Sequence, residues 1–215
     1  MRIAILGSGQ VGRALGAGLA SHGHDVVMGS RDPGAEHVVA WVDSVGERAA
    51  AATYADAASS CELACLVTAW SGTENAIRLC VPDNLAGKVV VDVTNPLVFG
   101  PEGPGLALGT TDSAGEQVQR WLPRSHVVKA WNIVGNANMV DPQVPGGPPD
   151  MFFCGDDAGA KQTVADLLRE CGWPSIDAGG IRAARQLESL ALLWISYAIT
   201  HQRSDHAFKL LRSSD

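Results

Sequence analysis

Gly7, Gly9 and Gly12 in "LGSGQVG" have the spacing G-x-G-x-x-G. Glycines so spaced handle a phosphate rather than a proton. The first permits a tight turn, the second lets backbone approach a pyrophosphate, and the third allows a helix to pack closely on a strand. "RIAIL" before them has the composition of a strand, and a helix opens near Gln10. The free N–H groups and positive end of that helix would then receive the anion.

A second strand, "DVVMG", closes the βαβ unit, and "GSRDP" (29–33) follows it. An NAD-binding chain places Asp or Glu there, to accept hydrogen bonds from the ribose hydroxyls and to repel a 2′-phosphate. Here the positions hold Ser30 and Arg31, a hydroxyl and a guanidinium that suit a dianionic phosphate. The nucleotide expected is NADP(H). The competing assignment makes Asp32 the ribose ligand and Arg31 a solvated side chain; Asp32 precedes Pro33, which directs it into the next turn.

The elements that must position these residues alternate along the chain. Strands are expected at 2–6, 25–29, 62–68, 88–93, 126–131, 151–154 and 175–177, and helices at 10–22, 35–51, 73–80, 113–121, 158–171 and 181–201. Short β-branched runs separated by amphipathic ones imply a mostly parallel, doubly wound α/β sheet. The stretches 95–115 and 141–150 are too rich in Pro and Gly for regular structure, and the first has the length of a ligand-covering loop. Ser113 and Glu116 form a capping box that starts the next helix, and the acids of "CGDD" (154–157) cap the one after it.

Composition narrows the partners. The 215 residues carry 16 basic and 23 acidic side chains, a net charge of −7, with no dense basic cluster. Nucleic acid and anionic membrane surfaces are therefore disfavoured. Cys61, Cys65, Cys80, Cys154 and Cys171 are odd in number and lack C-x-x-C pairing, so buried thiols in a reducing compartment are expected, with neither disulfide framework nor metal site. "RIAIL" is a strand rather than a leader, and "LESLALLWISYAI" (187–199) is interrupted by Glu188 and too short for a bilayer. A cytoplasmic location follows.

"MRIAILGSGQVG", "VVMGSRDP", "VVDVTNPL", "KAWN", "FCGDD" and "DAGGIRAARQLESL" together resemble the NADPH-dependent reductases of deazaflavin coenzyme F420. The cytoplasmic domain of the six-transmembrane ferric reductases is a second relative. The resemblance covers residues 1 to about 200 and implies a Rossmann-like fold: an NADP-binding domain at 1–140 and a smaller C-terminal extension at 141–215, ending in a helix, that completes the sheet and the acceptor site. It further implies that Ser8, Gly9, Gln10 and Val11 hold the pyrophosphate and Ser30 and Arg31 the 2′-phosphate. Ala69, Trp70, Asn95, Pro96, Trp131, Asn132 and Gly135 would line the ribose and nicotinamide end, with coenzyme F420 as co-substrate.

Hydride transfer between two ring cofactors needs stacking and exclusion of water rather than a catalytic dyad, because the cofactors carry the hard chemistry. No catalytic residue is therefore assigned, and the six histidines are taken as solvated or structural. Asp92 and Lys129, each in a strand leading to the site, are the candidates for proton transfer if the substrate is instead a carbonyl or imine; otherwise Lys129 reaches past the sheet edge to solvent. Arg182 and Arg185 are either surface charges or a contact for an anionic coenzyme tail. A ferric acceptor reached through flavin, and an NADPH-sensing domain without turnover, remain as alternatives. About forty residues follow the last strand, too few for a helical substrate domain. The terminal helix is apolar nearly all round and must be covered, for which a homodimer is the plain expectation.

Overall fold

The computed structural model describes residues 1–213. Among these, the chain runs β1 (Arg2–Leu6), α1 (Gln10–Ser21), β2 (Asp25–Ser30), α2 (Glu36–Val45), β3 (Ala49–Thr53), α3 (Tyr54–Ser60), β4 (Leu63–Leu66) and α4 (Trp70–Leu79). There follow β5 (Val89–Asp92), β6 (Leu97–Gly100), β7 (Gly103–Leu106), α5 (Ala114–Trp121), β8 (His126–Lys129), β9 (Met151–Gly155), α6 (Ala158–Glu170), β10 (Ser175–Asp177) and α7 (Ala184–His201).

Eight strands form one sheet in the order β10-β9-β8-β5-β4-β1-β2-β3. Every pairing is parallel except β8 with β9. Strands covered on both faces must be apolar where they are covered, and β4 is so throughout and β1 from Ile3 onward. Period-two alternation sends Ile3 and Ile5 to one face, against Leu15, Leu19 and Trp41 of α1 and α2, and Ala4 and Leu6 to the other, against Ala57 and Ala58 of α3. The fold is Rossmann-like. From β1 the chain winds outward to β2 and β3, then returns to β4 on the other side, so the winding reverses between β1 and β4. At such a switch point the crevice beyond the strand ends is open to a ligand.

Three expectations needed correction. The helix expected over 35–51 stops at Val45, because Gly46 turns the chain with φ of 86°, and "AAAAT" continues as strand β3 beside β2. Alanine's helix propensity hid this strand; pairing with an already formed sheet edge overrides it. The irregular stretch 95–115 also contains structure, since β6 and β7 pair as an antiparallel hairpin turning through Pro101 and Glu102. That hairpin touches α7. The helix expected at 181–201 begins as a 3₁₀ turn, Ile181–Ala183.

Beyond residue 140, β9 and β10 extend the same sheet and α7 packs back across it. Leu187, Ala191 and Trp194 are buried, whereas Leu193 and Tyr197, one turn apart on α7, and Ile199, on another side of it, are exposed. No helix among the described residues is long and apolar enough to cross a membrane.

Candidate active site

A cleft of about 480 Å³ lies beyond the carboxyl ends of β1, β2 and β4, at the point where the winding reverses. Gly7 turns the chain there with φ of 133°. Gly12 lies against the Gly7 carbonyl, too close for any side chain, and this sets α1 hard against the strand end. A Cβ on Gly9, by contrast, would meet no atom within 4 Å. Among the described residues no side chain caps α1, and its first turn holds no acidic residue, so its N–H groups face the cleft region without a competing anion from them.

Ser30 ends β2, buried, where its hydroxyl donates to Asp32 O at 3.1 Å and accepts from Asp32 N at 3.2 Å. Asp32 accepts the Gly34 N–H at 3.0 Å through Oδ1, so its carboxylate is engaged in the turn that its sequence position suggests. Arg31 is exposed on the rim and forms no ion pair among the described residues. Burial pushes the Tyr54 phenol above its usual range, with Cys80 adding to the rise and the nearby Arg31 opposing it.

Of the residues singled out from the sequence, Gly7, Ser8, Gly9, Ser30, Arg31 and Ala69 line this cleft. Gln10 and Val11 occupy the exposed first turn of α1, and Gly12 lies beneath. Trp70 opens α4 but turns its indole onto Trp121, with ring centroids 5.5 Å apart. Asn95, Pro96, Trp131, Asn132 and Gly135 stand farther along, after β5 and β8, and do not line the cleft. Trp131 is 1% exposed and donates to Met139 O at 2.7 Å, so its indole belongs to the core; its backbone, at φ of 56°, makes the turn after β8.

Sequence reasoning missed several lining groups. Tyr54, Thr68, Asn75 and His37 all face the cleft. His37 Nε2 lies 3.1 Å from Ser8 Oγ, joining the glycine turn to the first turn of α2. Thr68 meets Thr73 at 2.9 Å, tying the β4 end to α4. Tyr54 could not be foreseen without β3, and the others belong to no motif.

The largest departure concerns Lys129. It does not reach solvent: it is fully buried, 2.7 Å from Asp92 Oδ2 and 3.1 Å from Glu188 Oε1, and donates to Thr94 O at 2.7 Å. Burial alone would lower its pKa, but the two carboxylates outweigh burial and raise it. Glu188 is pushed up by burial against the pull of Lys129. It also accepts the Ala114 and Gly115 N–H groups that start α5, at 3.0 and 3.1 Å. Gly115 makes room for this network: a Cβ there would lie 3.1 Å from Lys129 Cε and 2.8 Å from Ala184 Cβ. Arg185 is likewise engaged, donating to both oxygens of Glu116 at 2.7 and 2.6 Å.

The family described as NADP oxidoreductase, coenzyme F420-dependent, matches residues 2–96. The chain is 30% identical over 213 residues to the F420-dependent NADP reductase of Methanocaldococcus jannaschii, covering 94% of each protein. It is 31% identical over 192 residues to Metalloreductase STEAP3 of Rattus norvegicus, covering 89% of this chain and 36% of that longer protein. A crystal structure of a putative F420-dependent NADP reductase from Arthrobacter sp. FB24 superposes with a TM-score of 0.92 at 37% identity, covering 98% of this chain and 99% of that one. An imine reductase from Myxococcus stipitatus, with a TM-score of 0.64, 16% identity and coverage of 94% and 62% respectively, shares the fold. By its likeness along almost the whole length of the methanogen enzyme, the chain belongs to the family of F420-dependent NADP oxidoreductases.

Proposed function

We propose that this NADP oxidoreductase passes hydride between NADP(H) and the deazaflavin coenzyme F420. The observation that carries the reading is the joining, on the rim of one cleft, of a helix N-terminus and Ser30 with an Arg31 that, among the described residues, has no ion-pair partner. Together they offer uncapped N–H groups to a pyrophosphate and a guanidinium to a 2′-phosphate. The open space over Gly9 is what close approach of a pyrophosphate requires.

When bound, the nicotinamide and deazaflavin rings supply the hydride chemistry between them. The residues of this chain bind and orient. Ser8, Gly9, Gln10 and Val11 hold the pyrophosphate, and Ser30 and Arg31 the 2′-phosphate. Ala69, Trp70, Asn95, Pro96, Asn132 and Gly135, with the backbone turn at Trp131, border the ribose and nicotinamide end. The hairpin β6–β7 and α7 stand on the acceptor side and exclude water.

A carbonyl or imine substrate would need a proton donor in contact with it. Asp92 and Lys129 are both fully buried, which favours the ring acceptor. A flavin acceptor is the second reading, supported by the 31% identity to a metalloreductase. The five buried thiols support a cytoplasmic enzyme, and the exposed Leu193 and Tyr197, one turn apart, support a homodimer through α7.

The test is to mix the protein with NADPH and oxidised coenzyme F420 and follow the deazaflavin absorbance, repeating with NADH and with free flavin. Bleaching with NADPH and coenzyme F420 alone is the expected result. Tight NADPH binding without bleaching would remove the deazaflavin and leave the flavin or a sensing role.

A further inference from the structure

The buried charges Asp92, Lys129 and Glu188 touch neither solvent nor the cleft, yet they converge on the turns that follow β5 and β8. Lys129 Nζ grips Thr94 O at 2.7 Å, and Asp92 Oδ1 accepts from Thr94 N at 2.9 Å and from Thr94 Oγ1 at 2.7 Å. Thr94 is thereby held at three points, and the next residue is Asn95. Asn95 Nδ2 donates to Asn132 O at 2.8 Å, and Asn132 Nδ2 donates to Asn95 Oδ1 and to Leu187 O, both at 3.0 Å. Leu187 adjoins Glu188, so both the Asn95 and the Leu187 contacts of Asn132 are set by the same ionic network.

The orientation of Asn132 is chemically forced, because its nitrogen faces two oxygens. Its Oδ1 is then left without a partner, in a residue 5% exposed. A buried carbonyl kept in this state costs stability and is ordinarily satisfied by something. Asn132 follows β8, which is separated from β2 by β5, β4 and β1, a span of about 19 Å at ordinary strand spacing. That is the direction in which a dinucleotide anchored by Ser30 and Arg31 extends.

We propose that Asn132 Oδ1 accepts the carboxamide N–H of the nicotinamide, and that Asp92, Lys129 and Glu188 are positioning residues that hold it ready. The ionic network acts through Thr94, Asn95 and Leu187 and touches no reactant. This rests on the NADP(H) reading of the cleft.

The test compares two ligands by calorimetry: NADPH, and 2′-phospho-ADP-ribose, which lacks the nicotinamide. Removing Lys129 alone would strand two buried carboxylates and endanger folding. The variant is therefore Asp92→Asn/Lys129→Met/Glu188→Gln, neutral and similar in shape, with Asn132→Ala as a second that removes the acceptor directly. In both, the NADPH dissociation constant should rise about tenfold while that for 2′-phospho-ADP-ribose changes less than about twofold. Equal weakening of the two ligands would make the network merely structural, and an unchanged NADPH affinity in Asn132→Ala would remove the contact; either result overturns the proposal alone. If the wild-type protein binds NADPH no more tightly than 2′-phospho-ADP-ribose, the nicotinamide end itself is misassigned and the proposal falls with it.

Discussion

Gly12 packs beneath Gly7 so closely that a side-chain carbon at 12 would overlap the Gly7 carbonyl oxygen, whereas a carbon at Gly9 would project into open space. The two glycines therefore do different work. Gly12→Ala should cost about 1–3 kcal/mol of stability, through overpacking of helix on strand. Gly9→Ala should unfold at the wild-type temperature but bind NADPH at least about tenfold more weakly, because its methyl occupies the approach of the pyrophosphate. Thermal denaturation and calorimetry on the two variants separate these effects. A Gly9→Ala protein with normal NADPH affinity would place the pyrophosphate elsewhere.

Arg31 carries the choice of nucleotide. With no intramolecular ion pair among the described residues, its removal leaves no other group unsatisfied. Arg31→Ala should therefore leave stability unchanged and weaken NADPH by about 1.5–3 kcal/mol, the worth of a hydrogen bond to a charged group. NADH affinity should hardly move. Equal losses for the two nucleotides, measured by titration of intrinsic fluorescence, would contradict a 2′-phosphate site at this rim.

What the sequence made legible were features with a local cause. The glycine spacing, the Ser113–Glu116 capping box and the Asp157 cap, which accepts the Ala160 N–H at 2.7 Å, are each set by neighbours along the chain. Strand β3 escaped because its alanines have no preference for a sheet; its pairing with β2 decides the matter and is invisible locally. The hairpin β6–β7 escaped because Gly and Pro punctuate it.

Glu188 illustrates the limit at the site. It was visible as a polar interruption of an apolar helix, but its partners Lys129 and Ala114 lie 59 and 74 residues away, brought together only by the winding of the sheet. Asp92 and Lys129 were legible as unusual strand residues. That they face each other, fully buried, follows from the β5–β8 register, which pairs residue 92 with residue 129.

The cysteines give a prediction about reactivity. All five are free and buried, and burial pushes the thiols of Cys80, Cys154 and Cys171 up to about 12, with Cys61 and Cys65 also raised. Since the thiolate is the nucleophile, almost none is present at pH 8. A chromogenic disulfide reagent should find no reactive thiol in the folded protein and all five in denaturant. Rapid labelling of the native protein would show that one of these sites opens to solvent.

The ion pair between Arg185 and Glu116 gives a prediction about acid. It joins α7 to the first turn of α5, where Glu116 also accepts the Ser113 hydroxyl at 2.7 Å. The Arg185 hydrogen bonds hold the Glu116 carboxyl below its ordinary range, against the opposing effect of burial. A carboxylate with a lowered folded pKa stabilises the fold above its unfolded value, near pH 4.3, and that contribution is lost as pH falls through the folded value. Arg185 stays protonated throughout, so no matching loss occurs at high pH. Urea unfolding of the wild type and of Glu116→Gln should thus differ by a constant amount at neutral pH, the variant being weaker, and the difference should shrink below about pH 4. A gap that persisted undiminished to pH 2.5 would mean that the pair contributes through packing rather than charge, and that α7 is held to α5 chiefly by Glu188.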